Sequence, residues 1–143
     1  MALSQSDIEC IRKTWALIVP ARDLAAQVFY GRLFRIAPHT KALFRSDLQS
    51  QGRKLTDTLG FVVDHLHEID QVTAAAEALA IRHVDYGVKE EDYHAVGDSL
   101  IWTFRNTLGG RFSEEAAAAW TKAYATLSEA MTAAAYPKGG GGQ

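Results

Sequence analysis

The chain is short of cysteine, proline and net charge, and each shortage excludes something. Its one cysteine, Cys10, has no internal partner for a disulfide, which suits a reducing compartment and reads most simply as a small buried hydrophobe. The only prolines are Pro20, Pro38 and Pro137, so long stretches are free of helix breakers. Fifteen Lys and Arg against seventeen Asp and Glu leave a net charge of −2, without the basic footprint that nucleic acid or an anionic membrane surface requires. No apolar run approaches the ~18 residues needed to span a bilayer, and no basic segment followed by an apolar one opens the chain. A membrane span is therefore not expected, and the expected location is cytoplasmic.

What is present is helical period. With 143 residues, 48% of them hydrophobic, the chain is sized for one domain that buries about two thirds of its unfolded surface. Apolar residues recur at steps of three and four, and almost nowhere do they alternate as in a strand, so the fold class is all-α. A first helix opens at the capping-box spacing Ser6-x-x-Glu9, turns Ile8, Ile11, Trp15 and Ile18 inward, and stops at Pro20. A second, about Arg22 to Ile36, has Leu24, Val28 and Leu33 on one side and Tyr30 and Phe34 on the next, as a central helix would. Pro38 breaks the run, and Thr40 to Phe44 reads as a short helical turn.

A third helix carries Gln51, Leu55, Leu59, Val62 and Leu66 on one face, with a polar residue heading an apolar stripe. The fourth, about Val72 to Asp85, puts Ala75, Leu79 and His83 at steps of four, so His83 shares the stripe just before Gly87 ends the helix. Glu90 to Leu108 forms a fifth helix, with Tyr93, Val96, Leu100 and Phe104 inward and Gly109-Gly110 at its end. Ser113 caps a sixth, with Ala117, Trp120, Tyr124, Leu127 and Met131 inward, long enough to pair antiparallel with the fifth. Residues 1–136 make one domain, and the glycine-rich stretch from Pro137 to Gln143 is expected to be a disordered tail.

Helices three and four should return on each other as a hairpin-like pair. If they splay, Gln51 and His83 sit on opposite walls near the open end of a wedge, with Leu55 and Leu79 deeper and Phe44 beside it. Such a wedge accepts a flat apolar ligand. Periodicity alone equally allows His83 as a core histidine and Gln51 as a surface residue.

The segment Arg82-His83-Val84-Asp85-Tyr86-Gly87-Val88, followed by Glu91-Asp92-Tyr93-His94-Ala95-Val96-Gly97, resembles the proximal region of bacterial single-domain globins and of the globin domain of flavohaemoglobins. Thr14-Trp15, Phe29-Tyr30-Gly31-Arg32-Leu33-Phe34, Pro38 with Phe44, Gln51 to Leu55, and Ala119-Trp120 with Tyr124 agree in order, so the resemblance covers about Ser4 to Tyr136. It implies a globin fold of six main helices plus short connecting turns around one haem b. His83 resembles the proximal ligand, binding iron through Nε2, with Nδ1–H donating to the carbonyl of Leu79. Phe44 resembles the haem-stacking phenylalanine. Tyr30 and Gln51 match a distal pair that donates hydrogen bonds to bound dioxygen, Leu55 an apolar wall over the iron, and Gly52 with Ala26 a close helix crossing.

Phe34, Tyr93, Val88 and Val96 are further candidate haem contacts, and Lys54 a candidate partner for a haem propionate. His39, His65, His67 and His94 are expected to be exposed and without function. The implied function is reversible binding of dioxygen and related diatomics at a five-coordinate iron, as carrier or store. The alternatives are nitric oxide dioxygenation fed by an external reductase, or gas sensing. One departure weighs against peroxidase-like chemistry. Flavohaemoglobins place a glutamate near the end of the last helix in a network with the proximal histidine and a tyrosine, and here that stretch reads Thr132-Ala133-Ala134-Ala135-Tyr136.

Overall fold

The fold is described by a computed structural model that covers residues 3–44, 47–68, 72–78, 80 and 89–135. Among these there is no strand. Helix α1 spans Gln5–Ile18 and passes through a 3-10 turn, Val19–Ala21, into α2, Arg22–Ile36. A second 3-10 segment, Pro38–Leu43, leads to α3, Leu48–Asp64. Residues 72–78 are helical and constitute α4. Helix α5, Glu90–Leu108, turns through Gly109–Arg111 into α6, Glu114–Ala135. No helix among the described residues is long and apolar enough to cross a membrane.

Helix α1 starts two residues earlier than its Ser6-x-x-Glu9 spacing implies. Ser4 Oγ accepts the Asp7 N–H at 3.0 Å and the Asp7 carboxylate accepts the Ser4 N–H at 3.0 Å, a complete capping box. Both spacings offer a box, and the earlier one also packs Leu3 on the core just before the cap and buries Ile8 at the fourth helical position, as in a hydrophobic staple. Lys122 Nζ reaches the same carboxylate at 2.9 Å and, with the Ser4 N–H, holds Asp7 below the usual carboxylate range. Trp15 packs on Trp120 of α6 at 6.3 Å, and the Trp120 indole donates to the buried Thr14 hydroxyl at 2.6 Å.

The expected inward stripes are corrected at two places. In α2 the buried residues are Ala25, Ala26, Phe29, Tyr30 and Leu33, while Leu24 is 58% exposed. Alanine takes the inward positions because α3 crosses α2 there: a Cβ added to Gly52 would lie 2.9 Å from the Ala26 Cβ. The close crossing expected of Gly52 and Ala26 is present. In α4 the buried residues are Val72 and Ala76, followed by Ala80, and Ala75 is exposed. An alanine-rich run has too little contrast in hydrophobicity to show which alanines face in. Leu79, His83 and Val88 lie outside the described residues, as does the tail beyond 135.

Helix α3 begins at Leu48 because Asp47 caps it, its carboxylate accepting the Ser50 N–H at 3.2 Å. Helices α5 and α6 run antiparallel, as their lengths suggest. Tyr124 meets the start of α5 through the Tyr93 carbonyl, Trp120 meets Phe104 at 4.6 Å, and Glu114 meets Arg105 near the end of α5. Gly109, at φ +57°, makes the sharp exit from α5, and Ser113 Oγ caps α6 by accepting the Ala116 N–H.

Candidate functional site

Three aromatic side chains from two elements meet first. Tyr30 and Phe34 lie one turn apart on the last half of α2, with rings stacked at 5.9 Å and 27°. Phe44, at the end of the Pro38–Leu43 turn, approaches both edge-on, at 5.1 Å from Tyr30 and 5.6 Å from Phe34. The turn is pinned from inside by Thr40, whose buried hydroxyl donates to the Ala37 carbonyl at 2.7 Å. Tyr30 is only 6% exposed, and burial pushes its phenol up to about 12. It therefore remains a neutral O–H donor throughout the physiological range.

Helix α3 supplies the opposite wall. Gln51 is half-buried in its first turn, with its backbone N–H on the Asp47 carbonyl at 3.0 Å. The neighbouring Gly52 packs against the Tyr30 ring, where an added Cβ would come to 4.0 Å from Cε2. The α2–α3 crossing thus brings the Tyr30 ring against the start of α3, next in sequence to Gln51. Leu55, one turn on, is half-buried against the core, whereas Lys54 is exposed. A groove of about 480 Å³ follows this crossing, with Ala26, Tyr30, Phe34, Leu48 and Gly52 among its lining.

On α5, Tyr93 is buried and its carbonyl accepts the Tyr124 hydroxyl; Val96, one turn on, is half-buried against the core. The phenol of Tyr124 is raised, first by its own burial and then by Tyr93 and Asp98. Gly97 leaves room for that ring, since a Cβ there would fall 2.7 Å from Tyr124 Cε2. Tyr30, Phe34 and Phe44 are thus brought together, and Gly52 brings the first turn of α3 against them. His83 and Val88 lie outside the described residues.

Several apolar side chains near this crossing and on α5 are left half-covered. Phe34, Phe44, Leu55, Leu59, Val62 and Val96 all pack on the core yet are only partly buried, a set of apolar surfaces from four elements. Surfaces of this kind suit a large planar hydrophobe better than a small polar substrate.

One pair was missed in the sequence. His39, expected to be exposed and without function, is 60% exposed at its side chain but bonds through Nε2 to Asp92 Oδ1 at 2.7 Å, and Asp92 is buried. Asp92 Oδ2 also accepts the Lys89 N–H at 3.0 Å, capping α5. The spacing Lys89-x-x-Asp92 carries part of that signal; the contact to His39, 53 positions away, has no local one.

Comparison with known proteins agrees with this architecture. The globin family model matches residues 27–131. The chain is 30% identical to the flavohemoprotein of Vibrio cholerae over 130 residues, 89% of this chain and 33% of the relative. It is 25% identical to that of Halalkalibacterium halodurans, covering 89% of this chain and 32% of the relative, and 26% identical to that of Candida norvegensis, covering 90% and 34%. The chain thus spans about a third of the length of these curated relatives. The helical architecture and the family match over most of the chain have one reading: this chain belongs to the globin family.

Proposed function

We propose that the chain binds haem b and uses it to bind dioxygen and related diatomic gases reversibly, as a carrier or store. Membership of the globin family supports the haem. The observation that carries the choice of gas chemistry is Tyr30, a buried phenol held neutral by burial, facing the α3 wall on which Gln51 stands. Bound haem supplies a ferrous iron to which a diatomic gas coordinates.

The chain's own residues do the rest. His83 would hold the iron through neutral Nε2. Phe44 and Phe34 pack on the macrocycle, with Val88, Val96 and Tyr93 as further contacts and Lys54, free to extend from the surface, at a propionate. Tyr30 Oη–H and the Gln51 amide N–H donate to the gas, and Leu55 excludes water from it. An amide is a poor iron ligand beside imidazole, so Gln51 would act as a hydrogen-bond donor to the gas and not as an iron ligand.

The test is the oxygen dissociation rate of Tyr30→Phe. A hydrogen bond to an acceptor with partial negative charge is worth ~1.5–3 kcal/mol, so the rate should rise roughly tenfold to hundredfold. An unchanged rate overturns the role of Tyr30. The likeness to flavohemoproteins favours one second reading, conversion of nitric oxide and dioxygen to nitrate with re-reduction of the iron by a partner reductase. Sustained nitric oxide consumption with a cellular reductase, and none without it, would establish that reading.

A further inference from the structure

We propose that the His39–Asp92 pair is a clamp across the haem crevice, holding the turn that carries Phe44 to the first turn of α5 and thereby slowing haem loss. The inference rests on the haem reading above. Its first support is placement. His39 lies in the Pro38–Leu43 turn, five residues before Phe44, and Asp92 lies in the first turn of α5, nine residues after His83. The pair therefore joins the element that offers the stacking ring to the element that follows the iron-ligating segment.

The second support is the state of the carboxylate. Asp92 is 3% exposed, and both of its oxygens are engaged, Oδ1 by His39 Nε2 at 2.7 Å and Oδ2 by the Lys89 N–H at 3.0 Å. A buried carboxylate loses much of its hydration and is retained only where such partners replace it. One partner belongs to its own helix; the other crosses to a different element. The capping bond alone would satisfy one oxygen, and the cross-element bond is what ties the two sides together.

The third support is the nature of the clamped element. A 3-10 segment of six residues has poorer hydrogen-bond geometry than an α-helix and little stability of its own. Among the described contacts, Thr40 pins it from within, Phe44 packs at its end on Tyr30 and Phe34, and His39 reaches α5. Movement of this turn away from α5 would carry Phe44 with it and would break the His39 bond. Because His39 is mostly exposed, deleting its ring leaves no cavity, so an effect of its loss reports the bond.

The experiment transfers haem from the ferric holoprotein to excess apomyoglobin and compares wild type, His39→Ala, His39→Gln and Asp92→Asn. His39→Ala should speed haem loss about fivefold to tenfold, the effect of one partly exposed charge-assisted bond. His39→Gln, which keeps a side-chain N–H donor, should recover at least half of that change on a logarithmic scale, and Asp92→Asn should speed loss as well. The urea midpoint of the haem-free protein, measured for each variant, separates the clamp from a general loss of stability: haem loss in His39→Ala should quicken by more than the fall in that midpoint accounts for. Loss rates within twofold of wild type in His39→Ala, or no recovery in His39→Gln, overturn the clamp and leave the haem reading standing. A wild-type chain that takes up no haem overturns both.

Discussion

Two glycines, each inside a helix, should respond differently to the same substitution. Gly31 in α2 has nothing within 4 Å of the position a Cβ would take, whereas at Gly52 in α3 that Cβ would lie 2.9 Å from the Ala26 Cβ. Replacing glycine by alanine inside a helix gains about 1 kcal/mol of propensity at either site. At Gly31 that gain stands alone. At Gly52 the new methyl is well inside the usual contact distance of about 3.5–4.0 Å, and the atom it meets is a methyl fixed to the opposing backbone, so α2 and α3 must separate. Overpacking of this kind costs about 1–3 kcal/mol. The propensity gain cancels when the two variants are compared, so Gly52→Ala should be less stable than Gly31→Ala by about 1–3 kcal/mol. For a domain of this size that is about 3–10 °C in melting temperature. Circular dichroism melts of the two haem-free variants, run beside wild type, measure it directly. Melting temperatures within about 2 °C of each other would refute the close crossing that places Tyr30 beside α3.

Two further outcomes follow from buried polar groups. Trp120→Phe removes the indole N–H that donates to the Thr14 hydroxyl at 2.6 Å in the core, and should cost about 1–2 kcal/mol in a urea titration, with no change in the helical signal at zero urea. Tyr30 titrates near 12 in the folded chain against about 10 unfolded, so the unfolded state ionises first as the solution becomes alkaline. Its contribution to stability is whole below pH 10 and is lost as pH rises from 10 to about 12, with Tyr124 adding a loss of the same sign. The urea midpoint should therefore be flat from pH 8 to 9.5 and fall above 10, less steeply in Tyr30→Phe; an identical slope in the variant would contradict the burial of that phenol.

How much could be read in advance follows from where the sequence has contrast. Helices α2 and α5 were legible to their ends because Pro38 and Gly109 punctuate them and because large residues such as Leu33 and Phe104 sit beside arginines, Arg32 and Arg105. The inner face of α4 was not, since Ala75 and Ala76 are chemically identical and only tertiary packing separates them. Leu24 was misplaced for a related reason: hydrophobicity ranks it above Ala25 and Ala26, but a close helix crossing selects for small size. At the site, Tyr30, Phe34 and Phe44 were named from resemblance and are found in one cluster. The His39–Asp92 pair was invisible because a contact across 53 positions leaves no periodic trace in either segment.

The measurement that bears most directly on the account is a haem titration of the haem-free protein, followed in the Soret band, for wild type and His83→Ala. The account predicts a sharp end point at one haem per wild-type chain, a five-coordinate ferrous spectrum that converts to a stable oxygenated one in air, and loss of tight binding in His83→Ala. Haem bound by His83→Ala with wild-type stoichiometry and affinity would contradict the assignment of the iron ligand, and a wild-type chain with no end point would contradict the haem itself.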